Sequence, residues 1–148
     1  MPLPASPRPI EAYPSRARAD IRYADLDRQG HVNNAVFATF SEIGRVAFLH
    51  DPERPLAVEG TSFVVARLEI DFHEELHWPG AVEIGTGVTE IGRSSFRIAQ
   101  GIFSGGRLAA SVAGVLVMTD VRTRRSTPLP PKTLDVLQSL MLADASQE

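Results

Sequence analysis

Hydrophobic and polar residues alternate along most of the chain, and this alternation predicts a sheet of five strands. From Arg16 to Tyr23 every second residue is apolar or aromatic, which is the period of a half-buried strand. The same period, or a continuous apolar run, predicts further strands at residues 62–73, 82–90, 94–103 and 108–119. The last run is apolar at nearly every position, so we expect a central strand that is covered on both faces.

One segment between the first two strands has helical periodicity instead. Its apolar face is formed by Val36, Phe40, Ile43 and Ala47. Asn33 and Asn34 are good N-cap residues, and the helix ends before Pro52 because the residue preceding a proline disfavours helical conformation. Gly44 in mid-helix costs about 1 kcal/mol relative to alanine, which a closely packed sheet would explain. A short second helix is predicted at residues 133–142, after a proline-rich segment.

The order of these elements predicts an α+β chain in which a sheet wraps around one buried helix. The four strands after the helix are expected to form an antiparallel meander. Residues 1–15 contain five prolines and no apolar run, so we expect a flexible arm there. The domain itself is expected at residues 16–130, and a short C-terminal helix with a tail at residues 131–148.

Composition excludes several classes of function. The chain has 148 residues and no cysteine, so we expect one domain without disulfides, thiolate metal sites or a cysteine nucleophile. Its net charge of -3 provides no global positive field that would attract nucleic acid or an anionic membrane. No segment has a signal-peptide pattern or the ~20 apolar residues of a membrane helix. We therefore expect a soluble, cytoplasmic protein.

The segment from His73 to His77 matches the zinc-protease pattern His-Glu-x-x-His. That chemistry needs both histidines on one face of a helix, whereas this segment continues a predicted strand and Pro79 follows it. On a strand the two positions lie roughly 13 Å apart, too far to share one ion. We interpret the segment as polar residues at a strand end, and we predict no metal site.

A second polar segment, residues 23–34, leads directly into the predicted helix with the letters YADLDRQGHVNN. The first turn of a helix has free backbone N–H groups and a partial positive charge, so it can polarise a carbonyl group. A carboxylate just before it could attack that carbonyl or activate a water molecule. Asp27, followed by a glycine-containing turn, is well placed for this role, and Asp25 is the weaker choice.

The same residues also have a purely structural interpretation. Asp27 to Gly30 fits a type I turn, with aspartate at the first position and glycine at the fourth. Asn33 or Asn34 would then only cap the helix, and His31 could be either a ligand-facing imidazole or a hydrogen-bonded loop residue. The spacing alone leaves both interpretations open.

Together with Glu42 and Arg45 on the following helix, this segment resembles the hotdog-fold acyl-CoA thioesterases of the 4-hydroxybenzoyl-CoA thioesterase type. It is most similar to the branch with the pattern D-x-D-x-x-G-H-V-N-N. The resemblance spans residues 16–130 and includes the strand before Glu74, the Gly92 to Phe96 segment and the apolar last strand. It implies a hotdog fold, in which five or six antiparallel strands wrap around the helix.

The resemblance also implies an activity, the hydrolysis of an acyl-CoA by a homodimer or homotetramer whose active site lies at the subunit interface. The family's catalytic carboxylate matches Asp27, and the helix amide that polarises the thioester carbonyl matches Asn34. The residues expected to bind the substrate are His31, Asn33, Arg93, Ser94 and Ser95. The aromatic-acid enzyme has a longer basic run where this chain keeps Arg93 alone. No metal or redox cofactor is expected.

Three alternatives remain open. Glu42 could act as the acid, although we interpret it as pairing with Arg45 one turn away on the helix. A hotdog hydratase or dehydratase is expected to carry Asp and His in a proline-containing motif with four residues between them, whereas Asp27 and His31 are separated by three and no proline. A non-catalytic domain would bind acyl-CoA without turnover.

Overall fold

The computed structural model describes residues 8–143, and it confirms the predicted α+β class. The predicted positions of five strands and two helices are also confirmed. The elements are β1 (Ser15–Asp20), α1 (Asn34–Leu49), β2 (Thr61–Phe72), β3 (Ala81–Ile91), β4 (Ser95–Ser104), β5 (Arg107–Asp120) and α2 (Pro131–Ser139). Short 3-10 turns precede β1 and follow it, at Ile10–Ala12 and Tyr23–Asp25. No helix of the described residues is long and apolar enough to cross a membrane.

The five strands form one antiparallel sheet in the order β1-β3-β4-β5-β2. The prediction of a four-strand meander was wrong, because only β3, β4 and β5 follow one another. The strand β2 pairs instead with β5, from Thr61 opposite Asp120 to Phe72 opposite Ala110. Because α1 connects β1 to β2 across the sheet, β2 reaches the far edge, and its other edge has no partner strand among the described residues.

The helix α1 packs against the concave face of the sheet, as a hotdog fold requires. Phe37, Phe40 and Phe48 are buried on its sheet-facing side. Gly44 allows the closest approach, since a Cβ atom built there would lie 2.4 Å from the Cγ2 atom of Ile84. The predicted close contact between helix and sheet is therefore present.

The strand β5 lies inside the sheet, but the expectation that both its faces are covered was only half right. Val112, Leu116 and Met118 are buried beneath α1 and the surrounding core. On the outer face Ala113 is exposed, because no helix of the described residues covers that part of the sheet. An apolar strand therefore has one open side in the single chain.

The N-terminal segment is packed where we expected a flexible arm. Residues 1–7 of that arm, like residues 144–148 of the tail, lie outside the described residues. Tyr13 is only 6% exposed and packs edge-on against Phe103 on the outer face, and Leu142 joins the same cluster. Gly85 leaves room for the Tyr13 ring on the strand beneath it. A single tyrosine between prolines gives no periodic signal, so the pattern missed this contact.

Candidate active site

A tight turn between β1 and α1 holds the acidic residues of the YADLDRQGHVNN segment. Leu26 and Val32 form an antiparallel bridge across it, and the amide of Asp27 donates to the carbonyl oxygen of His31 at 2.9 Å. The amide of Gly30 donates back to the Asp27 carbonyl oxygen at 3.1 Å, with a φ of 86° at Gly30. Glycine adopts this left-handed conformation without steric cost. The expected turn from Asp27 to Gly30 is therefore present.

Asp25 is a structural residue of this segment. Its side chain is 2% exposed and accepts hydrogen bonds from the backbone N–H of Arg22 at 2.7 Å and from the Arg22 guanidinium at 2.8 and 3.0 Å. Burial acts to raise the pKa of Asp25, but these hydrogen bonds and the charge of Arg22 outweigh it, so the pKa lies below its ordinary value. The backbone carbonyl of Asp25 also accepts from the amide of Asn33, which ties the turn to the helix.

Replacing Asp25 by asparagine is expected to destabilise the fold by roughly 1–3 kcal/mol at neutral pH, because an NH2 group would face the Arg22 donors. A carboxyl with a lowered folded-state pKa stabilises above its unfolded pKa, and that stabilisation is lost as pH falls through the folded pKa. The difference in unfolding free energy between wild type and Asp25→Asn should therefore be full above about pH 5 and shrink in strong acid.

Urea denaturation across this pH range measures that difference. Asp20→Asn is the matched control, because Asp20 is a nearby aspartate, at the end of β1, whose side chain is 85% exposed. A pH-independent difference for Asp25→Asn, or an equal loss in the control, would contradict the structural role.

The side chain of Asp27 is partly exposed and has a neighbour at each oxygen. Its Oδ1 atom accepts a hydrogen bond from the amide of Gln29 at 2.8 Å, and its Oδ2 atom lies 3.4 Å from Nδ1 of His31. About a quarter of the side chain, 27%, remains accessible. This carboxylate is therefore positioned by its neighbours and still open to a reactant, in contrast to buried Asp25.

The first turn of α1 leaves the backbone N–H group of Asn34 without a partner among the described residues. The side chain of Asn33 caps the helix by accepting from the amide of Ala35 at 2.9 Å, and its carbonyl accepts from the amide of Val36. Among the hydrogen bonds within residues 8–143, none uses the amide of Asn34. The positive end of the helix dipole adds to the attraction that this N–H exerts on a developing oxyanion.

A cavity of about 240 Å³ opens between the start of α1 and the end of β2. Its lining residues are His31, Val32, Asn34, Phe37, Phe72, His73, Glu74 and Glu75. His31 lines this cavity and contacts Asp27, which is not itself a lining residue. Asn33 is an exposed cap residue that does not line the cavity either. The structure thus brings Asp27, His31 and Asn34 to one place.

The His73 to His77 segment contributes to this cavity, which the sequence pattern did not indicate. The strand β2 ends at Phe72. The amides of His73 and Glu74 then both donate hydrogen bonds to the carbonyl oxygen of Ala109. Glu75 then lies 3.8 Å from Nε2 of His31 and 3.7 Å from Nε2 of His77. A polar run at the end of an alternating strand is the one signal that could have located these residues.

The expectation that this segment continues the strand was wrong, because the regular pairing with β5 ends at Phe72 and the next two amides share one carbonyl of β5. Within residues 8–143, no group of three or more histidine, aspartate or glutamate side chains is arranged to hold a metal ion. Instead, His73, Glu74 and Glu75 of this segment form a rim of one imidazole and two carboxylates along the cavity.

Three expected substrate-binding residues lie far from this cavity. Arg93 and Ser94 lie in the β3–β4 loop and Ser95 begins β4, at the end of the sheet opposite Asp27. The predicted pairing of Glu42 with Arg45 is also absent from the ion pairs of the described residues. Arg45 is half-buried, and its Nη1 atom donates to the hydroxyl of Ser41 at 2.9 Å. Burial lowers the pKa of Arg45, opposed by the charge of Glu42.

Comparisons with known proteins agree on one family. A model of the thioesterase-like superfamily matches residues 21–137. A thioesterase from Thermus thermophilus, whose crystal structure contains coenzyme A and zinc, is 34% identical, with a TM-score of 0.76 over 88% of this chain and 96% of that one. The PA5185 protein from Pseudomonas aeruginosa is 26% identical, with a TM-score of 0.79 over 93% and 99%. No protein with a curated description matches the sequence.

A DHNA-CoA thioesterase from Staphylococcus aureus shares the fold with a TM-score of 0.76, over 84% of this chain and 89% of that one, at 21% identity. At that identity the likeness concerns the fold alone.

Proposed function

From the premise that the chain belongs to the thioesterase-like superfamily, we propose that it hydrolyses an acyl-CoA thioester to a free acid and coenzyme A. One observation carries this more than any other. Asp27 is a positioned, accessible carboxylate in contact with His31, and His31 lines a cavity together with Asn34, whose amide takes part in no hydrogen bond among the described residues. Thioester hydrolysis needs a nucleophile or base on one side of the carbonyl and hydrogen-bond donors for its oxygen on the other.

In the general-base form of the reaction, Asp27 takes a proton from a water molecule whose oxygen bonds to the thioester carbon. The carbonyl oxygen becomes an oxyanion that accepts a hydrogen bond from the Asn34 amide. The carbon–sulfur bond then breaks, and the coenzyme A thiolate leaves and takes up a proton. The products are the free acid and the thiol.

In the nucleophilic form, a carboxylate oxygen of Asp27 bonds to the thioester carbon itself and expels the thiolate. Water then hydrolyses the resulting mixed anhydride, which restores Asp27 and releases the acid. Both forms use the same two groups, Asp27 and Asn34. His31 serves each of them by holding the Oδ2 side of the carboxylate.

The acyl group is assigned to the apolar part of the cavity. Phe37 and Phe72 form one wall, with ring centroids 5.1 Å apart in an edge-to-face arrangement. Phe72 is 48% exposed in the single chain, which is a large apolar surface beside the polar rim of His31 and Glu75. A partner subunit that covers this side would close the pocket.

We assign that partner to a second copy of the chain, bound along the open edge of β2. This edge strand is 12 residues long and exposes Val64 and Val65 as well as Phe72. A long, apolar, unpaired edge is a template for pairing with another strand. A two-fold axis makes the two β2 strands antiparallel, so each copy's cavity lies beside the other copy's β2 start. In this homodimer, Arg93, Ser94 and Ser95 of one subunit contact the coenzyme bound by the other.

Thiol release from a panel of short, medium, long and aromatic acyl-CoAs tests this function. Ellman's reagent is suited to the assay because the chain has no cysteine. We expect at least one substrate to be hydrolysed with a kcat/KM of about 10⁴ M⁻¹s⁻¹ or more, the lower end of the usual enzyme range. Coenzyme A binding without thiol release would favour a non-catalytic binding domain. Hydration of crotonyl-CoA without thiol release would favour a hydratase.

A further inference from the structure

Two neighbouring carboxylates on the rim of the active-site cavity differ in their partners. The Oε2 atom of Glu74 lies 3.1 Å from Nε of Arg107, the first residue of β5, so a guanidinium group balances its charge. The carboxylate of Glu75 lies instead beside two imidazoles, with Nε2 of His31 at 3.8 Å and Nε2 of His77 at 3.7 Å. Among the ion pairs of the described residues, none joins Glu75 to an arginine or lysine. Within that part of the chain, no permanent cation balances its charge.

The described lining of the cavity contains no arginine or lysine either. A sphere with the cavity's volume of about 240 Å³ is about 8 Å across, so a charged group inside it lies within roughly 8 Å of Glu75. At that separation the interaction of two unit charges changes a binding constant about twofold in bulk water and about thirtyfold at a protein surface. The side chain of Glu75 is 66% exposed, so we expect an effect between these limits.

The acyl group is the part of the substrate that comes closest to Glu75. In the proposed function the thioester oxygen accepts from the Asn34 amide, and the acyl group lies against Phe37 and Phe72. Glu75 lines the same cavity as these three residues. The coenzyme, in contrast, extends towards the β3–β4 loop of the partner subunit. The charge of Glu75 therefore acts on the end group of the acid rather than on the phosphates.

We propose that Glu75 is a specificity-determining residue, which selects against acyl groups that end in a carboxylate and favours those that end in a neutral or cationic group. This assignment rests on the proposed function. A terminal carboxylate in the cavity meets a like charge, whereas a terminal ammonium group meets an opposite one. Arg107 keeps the selection moderate, because it balances the second carboxylate of the rim, Glu74.

The first test compares three acyl-CoAs of matched length in wild type and E75Q. Adipoyl-CoA ends in a carboxylate, 6-methylheptanoyl-CoA ends in an isopropyl group of the same shape, and 6-aminohexanoyl-CoA ends in an ammonium group. The assays are run at pH 8, above the ordinary titration range of imidazole. Relative to the isopropyl substrate, we expect kcat/KM in E75Q to rise at least about threefold for the carboxylate substrate and to fall by a similar factor for the ammonium substrate.

Opposite shifts for the two charged substrates identify charge as the cause, since a change of pocket shape would move both in one direction. E75D keeps the charge and should retain the wild-type ratios. E83Q is the matched control, because Glu83 is an exposed glutamate that does not line the cavity. In wild type the ratios should approach those of E75Q as salt is added, because exposed charges are screened. Ratios that are equal in wild type and E75Q overturn the proposal.

Arg107→Gln tests the charge balance of the rim from the other side. It removes the guanidinium partner of Glu74, so the carboxylate substrate should be rejected more strongly than by wild type. E74Q/R107Q removes both charges and should return the ratios to the wild-type values. A rejection that persists in E74Q/R107Q would mean that Arg107 itself binds the acyl carboxylate, and this result would overturn the selection by rim carboxylates.

Thioether analogues of coenzyme A with the same three end groups separate this inference from the proposed function, because they bind without being hydrolysed. Calorimetric titration gives their Kd values for wild type, E75Q and E83Q. Opposite shifts in Kd for the carboxylate and ammonium analogues, confined to E75Q, support the role of Glu75 even if wild type hydrolyses no thioester. Kd ratios that are the same in all three proteins overturn that role, while thioester hydrolysis by Asp27 still stands.

Discussion

Replacement of Asp27 by asparagine is expected to reduce thioester hydrolysis by about 10²- to 10⁴-fold in kcat, the usual contribution of a general base. The amide keeps the shape of the side chain and can still accept from the amide of Gln29, but it can neither take a proton from water nor attack a carbonyl. Because the carboxylate is 27% exposed and held within a local turn, the variant should fold normally. KM for the acyl-CoA should change little.

The measurement is thiol release from the best acyl-CoA of the panel, with urea denaturation as the check on folding. Glu42→Gln is the matched comparison, because Glu42 is an exposed carboxylate on α1 and forms no ion pair within the described residues. Asp27→Asn should lose activity at unchanged stability, whereas Glu42→Gln should retain it. Equal turnover by Asp27→Asn and wild type would remove Asp27 from the mechanism, and a loss in Glu42→Gln would transfer the role to the helix.

Asp25 and Asp27 show how local structure separates two similar residues. In the sequence they are two aspartates of one motif, and position alone favours Asp27 only weakly. In the structure Asp25 accepts three hydrogen bonds from Arg22 and is buried, while Asp27 keeps an accessible edge. A stability loss in Asp25→Asn and an activity loss in Asp27→Asn would be complementary results.

The strands and α1 could be predicted because their signals are local. The strand predicted at residues 62–73 spans Thr61–Phe72. Asn33 and Asn34 were both predicted as N-cap residues, and the helix starts at Asn34 with Asn33 as its cap. The order of the strands could not be predicted in the same way. Alternation shows which face of a strand is buried but does not show which strand lies beside it, so the pairing of β2 with β5 was missed.

The candidate site shows the same division between local and distant contacts. The turn at Asp27 and the cap at Asn33 depend on neighbours within a few residues, which a motif can indicate. Glu75 lies beside His31 where Val32 donates its amide to the carbonyl of Leu76, and this contact joins segments that are distant in the sequence. Local periodicity carries no information about such a contact, and therefore the His73 to His77 segment was interpreted without its neighbours.

Gly44→Ala is expected to destabilise the protein by about 2 kcal/mol or more, although alanine is the better helix former by about 1 kcal/mol. The added methyl group would lie 2.4 Å from Cγ2 of Ile84 and 2.9 Å from Nε2 of Gln100. Neither neighbour can move freely, since Ile84 is fully buried and Gln100 is bound to Ser41 and Thr86. The helix would have to shift away from the sheet and loosen these hydrogen bonds.

Urea denaturation of Gly44→Ala measures this cost, and Ala47→Ser is the control because it adds one heavy atom at an exposed position of the same helix. A double-mutant cycle with Ile84→Ala isolates the steric cause. Removing the Cγ2 atom creates room for the new methyl group. The double variant should therefore lose less unfolding free energy than the sum of the losses in the two single variants. Full additivity, or a stabilised Gly44→Ala, would show that α1 does not need glycine to approach the sheet.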